Sequence, residues 1–279
     1  MSQARERPLY QVPSVFISPG GFHWKLCHDR WREPAVRLER FLAGDDKTNG
    51  IEVLKSSHGR VVARLHFGDD MRLSSAVAKA FPMTTLKQRL FKHRRYALAE
   101  YRNLMQARAS GLPVPEVFGF GVQKRFGLVY NSAVMMEDLH PRRTLSAILA
   151  DSQGRQDVKD ACMNASKIIL LALYGAACHH IDVNGTAILS AADFSSPPRV
   201  IDFQYVRFLK QPSFRSLACM AGYLGWAFTI HCNFDRDYLD KWAEDLMKSA
   251  AVSDEKDWWE TYSFAVVSDL SRHRRMALH

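Results

Sequence analysis

Cysteines at metal-binding spacing are missing from this sequence. The five present, Cys27, Cys162, Cys178, Cys219 and Cys232, are odd in number and widely spaced, with no C-x-x-C pair. A zinc site and a disulfide framework are therefore not expected, and a reducing compartment is. Long apolar runs are also lacking: the longest, Ile168 to Cys178, falls well short of the ~20 residues that cross a bilayer. The first residues, Met1 to Pro8, carry charge without an apolar stretch, which argues against a secretory signal. A soluble or peripheral cytoplasmic protein is expected. Acidic residues are in short supply, 29 against 38 Lys and Arg, leaving a net charge of +9. That balance suits an anionic partner such as nucleic acid, a membrane surface or a phosphorylated substrate. No nucleic-acid reader motif accompanies the charge, so no nucleic-acid partner is expected.

The chain has 279 residues, 47% of them hydrophobic, enough for one large domain or two lobes. Residues 1–50 mix Pro, Gly, Trp and charge and read as an N-terminal extension, ordered in part by Trp24, Trp31 and Phe41. From Ile51 the pattern becomes that of strands: Ile51 to Lys55, a turn at Ser56 to Gly59, then Arg60 to Phe67 form a hairpin. A third strand is expected over Leu73 to Phe81. Leu86, Leu90, Phe91, Leu98, Tyr101, Leu104 and Met105 recur at helical spacing, predicting one amphipathic helix from Leu86 to Ala109 that Gly111-Leu-Pro-Val-Pro115 ends. Strands over 117–122 and 126–136 follow, and Glu137 to Pro141 reads as a linker. Beyond it, helices are expected at 144–150, about 156–179 and 214–229. The expected organisation is thus the extension, a β-rich lobe over 51–140 and a mainly helical lobe over 141–279: an α+β, bilobal fold.

The chemistry is carried by His180-Ile-Asp182-Val-Asn184 and, further on, Val200-Ile-Asp202-Phe203. A turn with an Asp after a long helix, then a short apolar strand ending in Asp, is how kinase-like phosphotransferases place a catalytic base and a metal-binding carboxylate. Asp182 is the candidate base, His180 a positioning or catalytic neighbour, and Asp202 the candidate Mg²⁺ ligand. Lys79, in Val77-Ala-Lys79, suits the strand lysine that neutralises ATP phosphates, and Glu100 on the next helix suits its ion-pair partner. Arg64 ranks second as phosphate anchor. Ser57 and Gly59 would lie over the nucleotide if the hairpin covers it, although the turn lacks G-x-G-x-x-G. Backbone groups near Glu137 and Leu139 are candidates to bind adenine. Surface lysines and local Asx turns are commoner than sites for each of these taken singly.

Together the segments resemble the lipopolysaccharide kinase (Kdo/WaaP-type) family. Arg95-Tyr-Ala-Leu-Ala-Glu100-Tyr-Arg-Asn-Leu with Ala109-Ser-Gly-Leu-Pro-Val-Pro115 is similar to its helix and exit turn. His180-x-Asp182-x-Asn184 and Ile201-Asp202-Phe203 resemble its catalytic and metal loops. The resemblance covers roughly residues 50 to 230. It implies a bilobal, protein-kinase-like α+β fold, ATP and Mg²⁺ as cofactors, and phosphorylation of a heptose or Kdo hydroxyl in the lipopolysaccharide core at the cytoplasmic face of the inner membrane. One departure stands out: Ala187 occupies the position where kinase-like loops carry Asn as a second metal ligand. A methyl group cannot coordinate Mg²⁺. Either Asp202, phosphate and water suffice, or Asn184 takes the role, or the protein is a non-catalytic pseudokinase or scaffold. A small-molecule phosphotransferase of the aminoglycoside or choline kinase type is a further alternative.

The partner implied is the lipopolysaccharide core or another phosphorylated glycolipid, with an anionic membrane surface beneath it. Lys87, Arg89, Lys92, His93, Arg94 and Arg95 crowd one stretch, interleaved with Phe81, Leu90 and Phe91, and Arg272-His-Arg-Arg275 forms a second cluster. The first is a candidate for resting on anionic headgroups. The sequence sets no oligomeric state.

Overall fold

The computed structural model describes residues 14–45, 50–57, 59–67 and 75–267. His58 of the expected turn, Leu73 and Ser74 of the expected third strand, and the basic cluster at 272–275 lie outside them. The chain divides into two compact units, residues 1–101 with 116–138, and 102–115 with 139–279.

The first unit holds β1 (Ser14–Ile17), β2 (Phe22–Leu26), α1 (Arg32–Leu42), β3 (Ile51–Ser57), β4 (Arg60–His66) and β5 (Ser75–Pro82). It continues with the first turn of α2 (Ala97–Ala109), then β6 (Val117–Arg125) and β7 (Leu128–Glu137). The strands form one antiparallel sheet in the order β1-β2-β6-β7-β5-β4-β3. The segment read as an extension thus supplies two strands. Phe22-His-Trp-Lys-Leu26 alternates buried and exposed, as a strand with one covered face must. Gly121 pairs with Trp24 across the ladder, and a Cβ at Gly121 would sit 2.5 Å from the indole. Glycine here makes room for the ring. Trp31 then stacks on Phe118 at 3.7 Å between centroids, and both belong to a core with Leu26, Leu38 and Leu65.

The helix expected from Leu86 to Ala109 is broken. A π-helical turn at Gln88–Lys92 and a 3-10 turn at His93–Arg95 precede α2. Gln88 Oε1 accepts hydrogen bonds from the backbone N–H of Thr84 and of Thr85, and Gln88 N–H donates to Thr85 Oγ1, a capping box that starts a separate short helix. Leu86, Leu90 and Phe91 are exposed, so their helical spacing marks no core-facing stripe.

The second unit holds β8 (Arg143–Thr144), α3 (Leu145–Asp151), α4 (Gln156–Gly175), β9 (Cys178–His180), β10 (Ile188–Ser190), β11 (Arg199–Val200), β12 (Val206–Phe208), α5 (Phe214–Cys232), α6 (Arg236–Ser249) and α7 (Glu255–Val266). Helix α4 stops short of the expected 179. Ala177 lies in the left-handed region at φ 50°, and Cys178–His180 pairs instead with β12. A second small sheet runs β11-β10-β8. These short ladders fix the two loops that carry the conspicuous aspartates. Among the described residues, no helix is long and apolar enough to cross a membrane.

Candidate active site

In the first unit, the backbone places Lys79 on β5, between β4 and β7, where its pairing partners are Val62 and Val134. Its Nζ donates to Glu100 Oε1 at 2.5 Å, and the two side chains are 7% and 1% exposed. Burying two charges costs several kcal/mol for each ion, so such a pair is a poor device for stability alone. Arg64 is held elsewhere: its Nε donates to Asp138 Oδ2 (2.6 Å) and its Nη1 to Glu52 Oε2 (2.7 Å). Those bonds commit Nε and Nη1 to two carboxylates of the same unit. Ser57 is exposed at the end of β3, which runs two residues past the expected strand end, and Gly59 turns the hairpin at φ +86°. Glu137 ends β7, and its Oε2 accepts from Glu116 N–H (3.0 Å). Leu139, half-buried at the start of the second unit's long segment, accepts through its carbonyl from Arg142 N–H (2.8 Å).

In the second unit, His180, Asp182 and Asp202 come together. His180 is fully buried, and its Nε2–H donates to the carbonyl of Ile201 (2.9 Å), while its backbone N–H meets Met220 Sδ (3.3 Å). The ring stands edge-on to Phe203 at 5.2 Å. Burial lowers the His180 pKa below the usual 6.5, against the opposing pull of the Ile201 hydrogen bond and of the charges on Asp202 and Asp182. The enclosed imidazole ties the base of one loop to the other.

Asp182 is half-buried between buried Ile181 and Val183, and both neighbours' N–H groups bond within the unit, to Tyr205 O and His180 O. Asp202 sits at φ 66°, ψ 50°, left-handed, ahead of the 3-10 turn Phe203–Tyr205. Side chains other than Gly, Asn and Asp adopt this region at a cost of roughly 1–2 kcal/mol. The ladder of β10 with β11 and the bond from Ile201 N–H to Ala187 O (2.9 Å) hold the residue before it. Asn103 Nδ2 donates to Phe203 O (2.7 Å) and holds the residue after it.

Asn184 is committed locally. Its Oδ1 accepts from both Thr186 N–H (2.8 Å) and Thr186 Oγ1 (2.7 Å), so both lone pairs of the amide oxygen are engaged. To act as a metal ligand it would have to lose one of them. Ala187 is buried and bracketed by backbone bonds to Asn184 and Ile201. Asn103 and Gly185 were not singled out in the sequence, yet both shape the loops. A Cβ on Gly185 would lie 2.5 Å from Ser146 Oγ and 2.7 Å from the Phe228 ring. An Asn inside an amphipathic helix, and a Gly directly after the aspartate loop, were the signals available. Pro113 and Val114 of the exit turn accept from Val200 N–H and from Arg199 Nη2 at 2.9 Å each, which ties that turn to the strand leading to Asp202.

Comparison with known proteins fits this geometry. The model of the lipopolysaccharide kinase (Kdo/WaaP) family matches residues 52–209, more than half of the chain. Among solved structures, that of WaaP in complex with acyl carrier protein is similar over 82% of this chain and 88% of its own, with 16% identity and a TM-score of 0.53. The structure of vaccinia related kinase 3 covers 98% of this chain and 92% of its own, with 12% identity and a TM-score of 0.44. No curated protein sequence matches. The WaaP likeness places the chain in the same kinase-like fold, an antiparallel sheet followed by a mainly helical unit.

Proposed function

The chain belongs to the lipopolysaccharide kinase (Kdo/WaaP) family, a family of phosphotransferases, and from that premise we propose that it transfers the γ-phosphoryl group of ATP to a heptose or Kdo hydroxyl of the lipopolysaccharide core, at the cytoplasmic face of the inner membrane. The observation that carries the reading is the buried Lys79–Glu100 ion pair. Stability does not call for it, whereas a lysine held in one orientation on a central strand suits the binding of nucleotide phosphates.

The donor set fits magnesium in a sparse form. Mg²⁺ retains several waters and takes one or two carboxylates beside substrate phosphates, and Asp202 supplies one carboxylate at a left-handed turn just past the β10–β11 ladder. Asp202 would hold the ion with phosphate oxygens and water, and Ala187 contributes nothing. When bound, the metal supplies charge neutralisation at the phosphates. Lys79 binds phosphate oxygens, with Glu100 fixing its direction. Asp182 orients the acceptor hydroxyl and takes its proton. His180 and Asn103 keep the two loops in register, one through Ile201 O and the other through Phe203 O. Positioning and charge neutralisation then provide most of the rate.

The test is transfer of labelled γ-phosphate from Mg-ATP to lipopolysaccharide, with Asp182→Asn as control. Label in core sugars that disappears in the variant, with ATP affinity within about twofold of wild type, supports the base assignment, because an Asp to Asn change removes an interaction made during transfer. Loss of ATP binding along with turnover counts against it. A second reading, a pseudokinase, is favoured by the occupied Asn184 oxygen and the methyl at Ala187. It predicts ATP binding without Mg²⁺ dependence, or none, and no label in any core structure or soluble amino-sugar.

A further inference from the structure

Two exposed elements of the first unit form a basic and aromatic surface that the phosphotransfer chemistry does not use. One is the irregular stretch before α2, where Leu86 (60%), Leu90 (44%) and Phe91 (73%) face outward among exposed Lys87, Lys92 and Arg94. The other is the tip of the β6–β7 hairpin, Lys124-Arg-Phe-Gly127, where Phe126 is 99% exposed. Tyr130 on β7 joins them. The Arg89 guanidinium lies 4.1 Å from the centre of its ring, the Arg125 guanidinium 5.8 Å, and Arg89 Nε donates to Met83 O (2.9 Å), whose own N–H donates to Tyr130 O. The two apolar tips are thus fixed with respect to one another.

Phe126 is costly where it stands. It takes φ 50° and is followed by Gly127 at φ 76°, the double left-handed turn that favours Asn-Gly or Asp-Gly. A large aromatic ring there strains the backbone and, being solvated, gains no packing in return. Strain at a solvent-facing tip points to a use outside the fold. Aromatic side chains projecting between cations suit the boundary of an anionic bilayer: the rings enter the headgroup region while Lys and Arg pair with lipid phosphates.

We propose that this surface, with Phe91 and Phe126 as its two insertion points, docks the protein on the anionic lipids of a membrane. The inference rests on the reading above in one respect, that the acceptor is borne by a membrane. Vesicle binding needs neither nucleotide nor acceptor. A kinase that ignores vesicles and a vesicle binder that transfers nothing are therefore told apart.

The experiment is co-sedimentation of the full chain with vesicles of phosphatidylcholine alone, or of phosphatidylcholine mixed with phosphatidylglycerol, without ATP or lipopolysaccharide. Wild type should bind the mixed vesicles and leave the neutral ones. Phe91→Ser and Phe126→Asn should each weaken binding on the order of tenfold, from the lost burial of one aromatic side chain, and Lys92→Glu by at least ~fivefold from the charge. Lys256→Glu, the same change of charge at an exposed site in the second unit, should weaken it far less. Because Asn suits the turn, Phe126→Asn should also raise the unfolding midpoint, so that a fall in binding cannot be laid to misfolding. Equal binding to neutral vesicles, wild-type binding by both Phe variants, or an equal loss in Lys256→Glu would overturn the proposal. So would binding that appears only when lipopolysaccharide is present in the vesicles.

Discussion

Removing one partner of the Lys79–Glu100 pair should be far more damaging than removing both. The N–O separation is 2.5 Å and the side chains are 7% and 1% exposed. At an effective dielectric of about 20 the attraction at that distance of 2.5 Å is roughly 7 kcal/mol. Withdrawing the two ions from water costs several kcal/mol each. The terms nearly cancel, so the intact pair adds little net stability. Lys79→Met, however, leaves a buried carboxylate with its main cation gone, and Glu100→Leu leaves a buried ammonium; either should cost about 3–5 kcal/mol. The double variant, apolar at both positions, should cost well under the sum, giving a coupling of at least ~2 kcal/mol. Urea unfolding of the four proteins measures this, provided the slope with denaturant stays constant. Single variants costing less than ~1 kcal/mol, or effects that simply add, would refute the argument that the pair is buried for a purpose other than stability. The double variant also makes a functional test: it should fold and yet bind ATP weakly.

Two further perturbations address the second unit. Because burial holds the His180 pKa below 6.5, the unfolded chain binds a proton at mildly acidic pH that the native chain refuses. Stability is therefore fully present above about pH 6.5 and falls as pH drops toward the lower native value, by up to ~1.4 kcal/mol per pH unit for one site. His180→Phe should abolish that part of the slope, read as the difference between the two proteins' unfolding free energies from pH 5 to 8; identical slopes would show that the imidazole is not buried neutral. Gly185→Ala places a methyl 2.5 Å from Ser146 Oγ and 2.7 Å from the Phe228 ring. Overpacking of this kind costs about 1–3 kcal/mol, and the shift it forces should lower transfer more than ATP affinity. A midpoint and turnover equal to wild type would mean that the loop after Asp182 is looser than its contacts imply.

The parts of the fold that the sequence made legible are those where one periodicity serves one face. Helix α3 is such a case, its buried Leu145, Ile148 and Leu149 recurring at helical spacing. The parts that were not show where that premise fails. Leu86, Leu90 and Phe91 repeat at helical spacing because they share an exposed surface, so the pattern extended α2 back through a π turn and a 3-10 turn. Cys178–His180 is three residues long and buried throughout, too short to alternate, and it was absorbed into α4. The alternation in Phe22–Leu26 was present but lay among Gly and charge. Its decisive partner was the glycine spacing of β6, a match between distant segments that no local window contains.

The site residues divide along the same line. The candidates Lys79, Glu100, Asp182 and Asp202 could be named because the proposed chemistry needs those side chains near recognisable turns. Asn103 and Gly185 act by holding backbone or by having no side chain, and their importance lies in what faces them: Phe203 O for one, Ser146 and Phe228 for the other. The same distinction bears on Ala187. Its loop is gripped by Asn184 O, Ile201 N–H, the β10–β11 ladder and the His180 bond, so nothing local has collapsed around the missing ligand. A loop kept in order without a second ligand at that position, beside an aspartate in a left-handed turn, is consistent with the one-carboxylate magnesium site proposed above.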